Sequence, residues 1–276
     1  MIYRNNVKDL EHMAQAIRRD VLEMTLNAGK QGGHVGGAFS CAEILAVLYG
    51  AVMDVTPQNV NTQNRDRFIL SKGHSAIALY AALYENCFLT KEELDTFEKD
   101  GSYLQTHCVK NPRWGIEISS GSLGVGLSVG TGTALAMRQK GLSQKVFVLL
   151  GNGECNEGCV WEAAMLAGQL KLDNLVAIVD DNKMQLDGDS QNIVHLDKLD
   201  RIFSALGWEA ARADGHSVTD LLRVFDEKER KRGPLAIIAD TVKGKGCSLT
   251  ERNPVFHHAA ISQEQYDTAM RELKDD

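Results

Sequence analysis

Two short polar segments, each directly after a short apolar run, have residue types suited to a diphosphate and a metal ion. Residues 151–154 read GNGE and follow an apolar run at 146–150, whereas residues 180–184 read DDNKM and follow one at 175–179. A helical pattern that opens at Glu157 separates them, so this unit is predicted as strand, loop, helix and strand. Glycines let a phosphate approach the backbone, and oxygen-rich clusters suit a hard cation. The pair therefore indicates a metal-bound diphosphate at the carboxyl ends of parallel strands.

The glycine-rich turn alone leaves a purely structural explanation open. A tight turn accounts for a bare GxG after a strand about as well as phosphate binding does. A dinucleotide site fits less well, because Asn156 stands where the third glycine belongs and residues 170–172 lack the expected acid. The phosphate loop of nucleotide triphosphatases is absent too, since no Gly-Lys-Ser or Gly-Lys-Thr triplet follows a glycine-rich turn.

Five segments, in order along nearly the whole chain, together resemble the transketolase family. They are GHVGG at 33–37, DRFILSKGH at 66–74, QTH at 105–107, GSLGVG at 121–126 and the stretch 151–188 that contains both polar segments. The resemblance implies an α/β domain with the thiamine-diphosphate-binding fold, a parallel sheet flanked by helices. It also implies transfer of a two-carbon ketol unit from a ketose or its phosphate to an aldose or its phosphate.

The resemblance also implies roles for individual residues. Thiamine diphosphate contacts are expected from His74, Gly121, Ser122, Leu123, Gly151, Gly153, Glu154, Asn182 and His257. Ligands for Mg2+, or else Ca2+ or Mn2+, are expected to be Asn152, Asn182 and the main-chain oxygen of Met184. The catalytic candidates are His34, His107, His257 and Glu157. The last of these is expected to reach across a subunit interface, although the helix dipole alone also favours an acid at a helix start.

At Asn152 the chain departs from the family's GDG pattern, whose aspartate is a direct metal ligand. Asparagine still offers a carbonyl oxygen but removes one negative charge, so the metal site is expected to be weakened or altered in preference. This substitution favours a non-catalytic or regulatory homologue, whereas the retained loop histidines favour an enzyme. A subunit of an enzyme like deoxyxylulose-phosphate synthase is a further alternative. His258 also departs from the pattern, because glycine is usual at its position.

Composition argues against several other classes of protein. The 276 residues are 43% hydrophobic and 24% charged, which is ordinary for a globular domain. A net charge of −7 gives no basic footprint for nucleic acid, and no apolar run is long enough to span a bilayer. The N-terminus lacks the apolar core of a signal peptide, so a cytoplasmic protein is expected. The six scattered cysteines are then expected to be reduced thiols.

The alternation of helix and strand predicts a single domain over residues 1–276 with a short C-terminal helical tail. A first helix is predicted over 7–27, and a second over 40–53 with Ser40 as its N-cap. Thr90 and Glu93 predict another capped helix, and the glycine-rich segment 123–137 is expected to be buried.

A second chain is expected to complete the active site. In the family, the glutamate that activates the cofactor belongs to a domain that no segment here matches, and a complete transketolase is more than twice 276 residues long. The chain therefore resembles the N-terminal subunit of a transketolase made of two different chains. It is expected to be inactive alone and to work with a C-terminal transketolase subunit on sugar phosphates, in a heterotetramer.

Overall fold

A five-stranded parallel sheet with the strand order β1-β2-β3-β7-β6 forms the centre of the protein. The structure is a computed structural model that describes residues 5–186, 188–228 and 233–273. The strands are β1 (Arg67–Leu70), β2 (Val146–Gly151), β3 (Leu175–Asp181), β6 (Glu209–Asp214) and β7 (Leu235–Asp240). Between β3 and β6 the chain forms a short antiparallel hairpin of β4 (Met184–Gln185) and β5 (Gly188–Asp189).

Helices cover both faces of the sheet. In chain order they are α1 (Val7–Asn27), α2 (Val35–Phe39), α3 (Ala42–Val47), α4 (Ala76–Glu85), α5 (Lys91–Leu94), α6 (Val125–Gln139), α7 (Gly158–Leu170), α8 (Leu199–Ala205), α9 (Val218–Lys228) and α10 (Gln263–Glu272). Helices α1 to α4 and α9 belong to one apolar core, and α6 to α8 belong to the other. The predicted fold class, a parallel sheet flanked by helices, is confirmed.

Strand β2 shows why the sheet needs cover on both sides. Phe147 and Leu149 are buried in the core that contains α1, whereas Val148 and Leu150 are buried in the core that contains α7. Successive side chains of a strand point to opposite faces, so a strand that is apolar throughout must be covered twice. In the described part of the chain, no helix combines the length and the apolar character that crossing a membrane requires.

Local capping signals predicted some helix starts correctly and one wrongly. Helix α1 has the predicted bounds, and Thr90 with Glu93 forms the predicted capping box of α5. The prediction that Ser40 caps a helix over 40–53 is wrong. Helix α3 begins only after Cys41 and passes into a wider π turn at Leu48–Val52. The Ser40 hydroxyl instead donates to the carboxylate of Asp180 at 2.6 Å, so a distant partner replaces the local one.

Glycines let α6 and α7 approach their neighbours closely. A Cβ added to Gly126 would lie 2.3 Å from the Ser71 hydroxyl oxygen. A Cβ added to Gly130 would lie 2.5 Å from a methyl carbon of Val148. A Cβ added to Gly168 would lie 1.8 Å from the carbonyl oxygen of Leu206. The small residues of α6 are thus explained by its contact with the sheet, and its predicted burial holds for this inward face.

We expect Gly168→Ala to destabilise the protein, because the new methyl meets a backbone carbonyl that no rotamer change can move. Overpacking of this kind costs about 1–3 kcal/mol. Gly132→Ala is the matched control, since nothing lies within 4 Å of a Cβ added there in the interior of α6. The control should be neutral or stabilising by up to about 1 kcal/mol. Urea unfolding midpoints of the two variants check this, and an equal effect of both would contradict the packing described.

Candidate cofactor and active site

A cavity of about 430 Å³ lies where β1, β2, β3 and β7 end. Its lining brings together nearly all of the sequence-predicted site residues, namely His34, His74, His107, Gly121, Leu123, Gly151, Asn152, Gly153, Glu154, Glu157, Asn182, Met184 and His257. Ser122 is exposed and is not part of this lining. Parallel strands end at the same edge of their sheet, which is why segments far apart in the sequence meet here.

The carboxylate of Asp180, at the end of β3, is the centre of the polar network beneath the cavity. It is fully buried and accepts hydrogen bonds from Lys72 Nζ, from the hydroxyls of Ser40 and Thr241, and from Asn182 Nδ2 at 3.0 Å. Burial alone would raise the pKa of Asp180, but the Lys72 ammonium and the hydrogen bonds hold it below its usual range. Burial would likewise lower the pKa of Lys72, and Asp180 raises it instead. The two groups are therefore a buried ion pair.

Glu154 links the glycine turn to neighbouring loops. Its carboxylate accepts the backbone N–H of Gly124 at 2.7 Å, the N–H of Gly151 at 3.0 Å and the hydroxyl of Ser71. Burial raises the pKa of Glu154, and these hydrogen bonds act in the opposite direction. The side chain thus joins the end of β2, the start of α6 and the end of β1, while its predicted contact with the cofactor stays a prediction.

Five histidines cluster on one side of the cavity. The ring centroid of His34 lies 5.5 Å from those of His74 and His107. It lies 5.2 Å from that of His257 and 4.4 Å from that of His258. His258 is exposed, so it lies against His34 from the solvent side. The fold therefore brings the loops that carry these five histidines together. The family resemblance predicted this for His34, His74, His107 and His257.

Burial keeps the inner imidazoles uncharged. It lowers the pKa of His34 to about 3, with further repulsion from the neighbouring histidines. It also lowers the pKa of His107, and it takes the pKa of His74 well below the usual range, where Lys72 adds repulsion. A neutral imidazole has one donor and one acceptor nitrogen. These rings can therefore donate to phosphate oxygens, and they can donate to or accept from sugar hydroxyls.

Lys243 is a functional candidate that the sequence analysis missed. It is 3% exposed, and its Nζ lies 3.2 Å from Nδ1 of His257 and 3.3 Å from the Gln185 carbonyl oxygen. Burial, with repulsion from Lys72, lowers the pKa of Lys243 to about 8. Lys72 was missed as well. Both lysines stand just after a buried strand and beside a glycine, which is the signal that could have identified them.

The oxygens expected to bind a metal belong to neutral groups. Asn152 and Asn182 line the cavity with Met184, and Asn182 Oδ1 accepts the Met184 N–H at 3.1 Å. Asp181 is held elsewhere, by ion pairs with Lys183 and, at 3.4 Å, with Arg212. Amide and main-chain oxygens suit Mg2+ or Ca2+. The donor set therefore fits a hard cation, provided that a bound diphosphate supplies the negative charge.

The fold and the cavity together are those expected of a protein that binds a diphosphate-bearing cofactor. The family model described as "Transketolase, thiamine diphosphate binding domain" matches residues 10–274. The chain belongs to the transketolase family and corresponds to its N-terminal, thiamine-diphosphate-binding part.

Relatives of two lengths match the chain. It is 41% identical over 268 residues to a 6-deoxy-6-sulfo-D-fructose transketolase subunit of Clostridium sp. strain MSTE9, covering 96% of both chains. It is 38% identical to an apulose-4-phosphate transketolase subunit of Phocaeicola vulgatus, covering 98% of this chain and 95% of that one. The crystal structure of Campylobacter jejuni transketolase superposes with a TM-score of 0.89 at 29% identity, and the chain spans 43% of its length.

The pKa of Lys243 gives a pH dependence for diphosphate binding. The protonated ammonium attracts the polyanion, so affinity should be steady below about pH 8 and should fall as the pH rises through and above that value. Calorimetric titration with thiamine diphosphate and Mg2+ between about pH 7 and 9.5 measures this. Lys243→Met should bind several-fold more weakly at neutral pH and should lose the decline at higher pH. A decline of equal size in the variant would assign it to another group.

Proposed function

We propose that this chain is the diphosphate-binding subunit of a two-chain transketolase that transfers a two-carbon ketol unit from a ketose, or its phosphate, to an aldose. The observation that carries this proposal is the composition of one cavity. A glycine turn, two buried lysines and a pair of asparagines lie beside four histidines in the same 430 Å³ space. The first group of residues suits a metal diphosphate and the second suits a polyhydroxylated sugar.

At the diphosphate end, the chain's residues bind and orient. His74 and Lys243 would contact the phosphate oxygens, and the turn around Gly153 would let the diphosphate approach the backbone. Asn152, Asn182 and the Met184 carbonyl oxygen would hold the metal. When bound, thiamine diphosphate supplies the thiazolium chemistry by which a C–C bond is broken and re-formed.

At the sugar end, the residues move protons and position hydroxyls. His34, His107 and His257 present imidazoles to one side of the cavity, and lowered pKa values keep His34 and His107 neutral at physiological pH. Ketol transfer requires a group that accepts a proton from a hydroxyl and returns it when the C–C bond breaks and forms, and His107 is the candidate for this role. With a pKa of about 3, His34 is too weak a base and would instead position hydroxyls. Glu157, which is exposed at the N-cap of α7, would serve the interface between subunits.

A partner chain is proposed on two grounds. Relatives of nearly the same length are named as subunits, and the chain spans 43% of Campylobacter jejuni transketolase. The surface formed by α6 and α7 also exposes large apolar side chains, with Val125 at 44%, Met165 at 51% and Leu166 at 50%. Both helices begin beside the cavity, since Leu123 lies two residues before α6, Glu157 lies directly before α7, and both residues line the cavity. A second chain that covers this surface would therefore also close the cavity, which is consistent with a heterotetramer.

We expect no ketol transfer from the purified chain and clear activity once a C-terminal transketolase subunit, first sought in the adjacent gene, is added. Light scattering should detect a larger species in the mixture. The donor panel should include 6-deoxy-6-sulfo-D-fructose and apulose 4-phosphate, the sugars named for two relatives. Strong activity of the lone chain would refute the two-chain proposal. An inactive complex that still binds cofactor would instead support the regulatory homologue that Asn152 suggests.

The two ends of the cavity should respond differently to loss of a histidine. His74→Ala should weaken thiamine diphosphate binding about tenfold or more, because its partly buried ring lines the cavity near Lys72, at the end proposed for the diphosphate. His107→Ala should leave binding within about threefold but lower kcat about 10²–10⁴-fold, the range typical of a lost general acid or base. Calorimetry for binding and kinetics at saturating cofactor separate the two effects. Full rescue of His107→Ala by excess cofactor would remove it from the sugar end.

A further inference from the structure

Asn152 lies between two cavities. It lines the cofactor cavity, and it also lines a neighbouring cavity of about 410 Å³ to which Ser190 belongs. The residue is 9% exposed, so its amide has a restricted environment rather than free rotation in solvent. Which of the two amide atoms faces the cofactor cavity decides whether Asn152 can bind a metal, because only the oxygen is a ligand.

We propose that Ser190 is a positioning residue that turns the Asn152 oxygen toward the metal, an inference that rests on the proposed cofactor function. Asn152 Nδ2 donates to the Ser190 hydroxyl oxygen at 2.7 Å. Ser190 lies on the side of the neighbouring cavity, so the amide nitrogen is held there and Oδ1 is directed away from it. Among the described residues, no hydrogen bond uses Oδ1 of Asn152, which leaves this oxygen available to a cation.

The position of Ser190 is tied to the other proposed ligands. Ser190 begins the turn directly after the β4–β5 hairpin, and its backbone N–H donates to the Lys183 carbonyl oxygen at 2.9 Å. Lys183 stands between Asn182 and Met184, the two remaining metal-ligand candidates. One short segment thus carries two of the three oxygens and orients the third. Groups that hold a metal ligand in place typically change metal affinity about 10–100-fold when removed.

The chemistry of asparagine explains why this residue needs a positioning partner. A carboxylate has two equivalent oxygens, so an aspartate at this position would present a ligand whichever way it turned. An amide that turned over would present its N–H groups to the cation and repel it. The Ser190 hydroxyl therefore orients the ligand when residue 152 is asparagine, and this role would largely disappear if residue 152 were aspartate.

Mn2+ binding to the full chain in the presence of thiamine diphosphate tests this without an activity assay. Water proton relaxation reports Mn2+ held on the slowly tumbling protein. Ser190→Ala should weaken Mn2+ binding about tenfold, whereas Ser190→Thr, which keeps the hydroxyl, should stay within about threefold of the wild type. Gln191→Ala is the matched control. Gln191 is the next residue and lines the same cavity, but the Asn152 amide donates to Ser190 and not to Gln191. The Gln191→Ala variant should therefore bind Mn2+ as the wild type does.

A second set of variants, made in the Asn152→Asp protein, distinguishes a positioning role of Ser190 from general loosening of the β4–β5 hairpin. Asn152→Asp should by itself tighten Mn2+ binding, because it adds a charge to the ligand set. In that background, Ser190→Ala should change the affinity by less than about threefold, since either carboxylate oxygen can bind. Equal losses in both backgrounds, or no loss in either, would overturn the role of Ser190. Absence of Mn2+ and cofactor binding by the wild type would overturn the proposed function as well.

Discussion

The ion pair between Lys72 and Asp180 is the interaction on which the cavity depends. The side chains are 1% and 0% exposed, so neither charge has water as an alternative partner. Loss of one member of such a pair leaves an uncompensated buried charge and costs about 3–5 kcal/mol. Because Ser40 and Thr241 donate to the same carboxylate, the segments after α2, β1 and β7 all meet on the end of β3. The floor of the site is therefore fixed before any ligand arrives.

This arrangement also determines how charge is distributed around the proposed metal. The negative charge of Asp180 is matched by Lys72, and that of Asp181 by Lys183 and Arg212. The oxygens that remain for a cation come from amides and a main-chain carbonyl, so a cation alone gains little Coulomb energy there. A diphosphate brings that charge with it and gains from Lys243 in turn. Each ligand should therefore strengthen the binding of the other, and by linkage the two effects are equal.

Local sequence patterns were sufficient to predict the structural features that short-range interactions determine. The bounds of α1, the capping box at Thr90 and the strand-loop-helix-strand unit from β2 to β3 all follow from periodicity and short-range polar contacts. The N-cap assigned to Ser40 failed because its hydroxyl bonds to Asp180, 140 residues away. Lys72 and Lys243 were missed for the same reason. Their place after a buried strand and beside a glycine was a signal for them, but their burial depends on strand ends that only the fold brings together.

Burial divides the titratable groups of the cavity into two kinds, and this division bears on substrate recognition. Lys72 keeps its charge because a carboxylate touches it, whereas His34 and His74 lose theirs because, among the residues that the structure describes, no carboxylate offsets their desolvation. Lys243 therefore supplies the positive charge at the diphosphate end, and His34 and His107 offer uncharged hydrogen-bonding groups at the sugar end. Neutral imidazoles bind hydroxyls well but give a phosphate or sulfonate little Coulomb attraction. On the two-chain proposal, we therefore expect the charged end of a sugar substrate to be recognised by residues of the partner subunit.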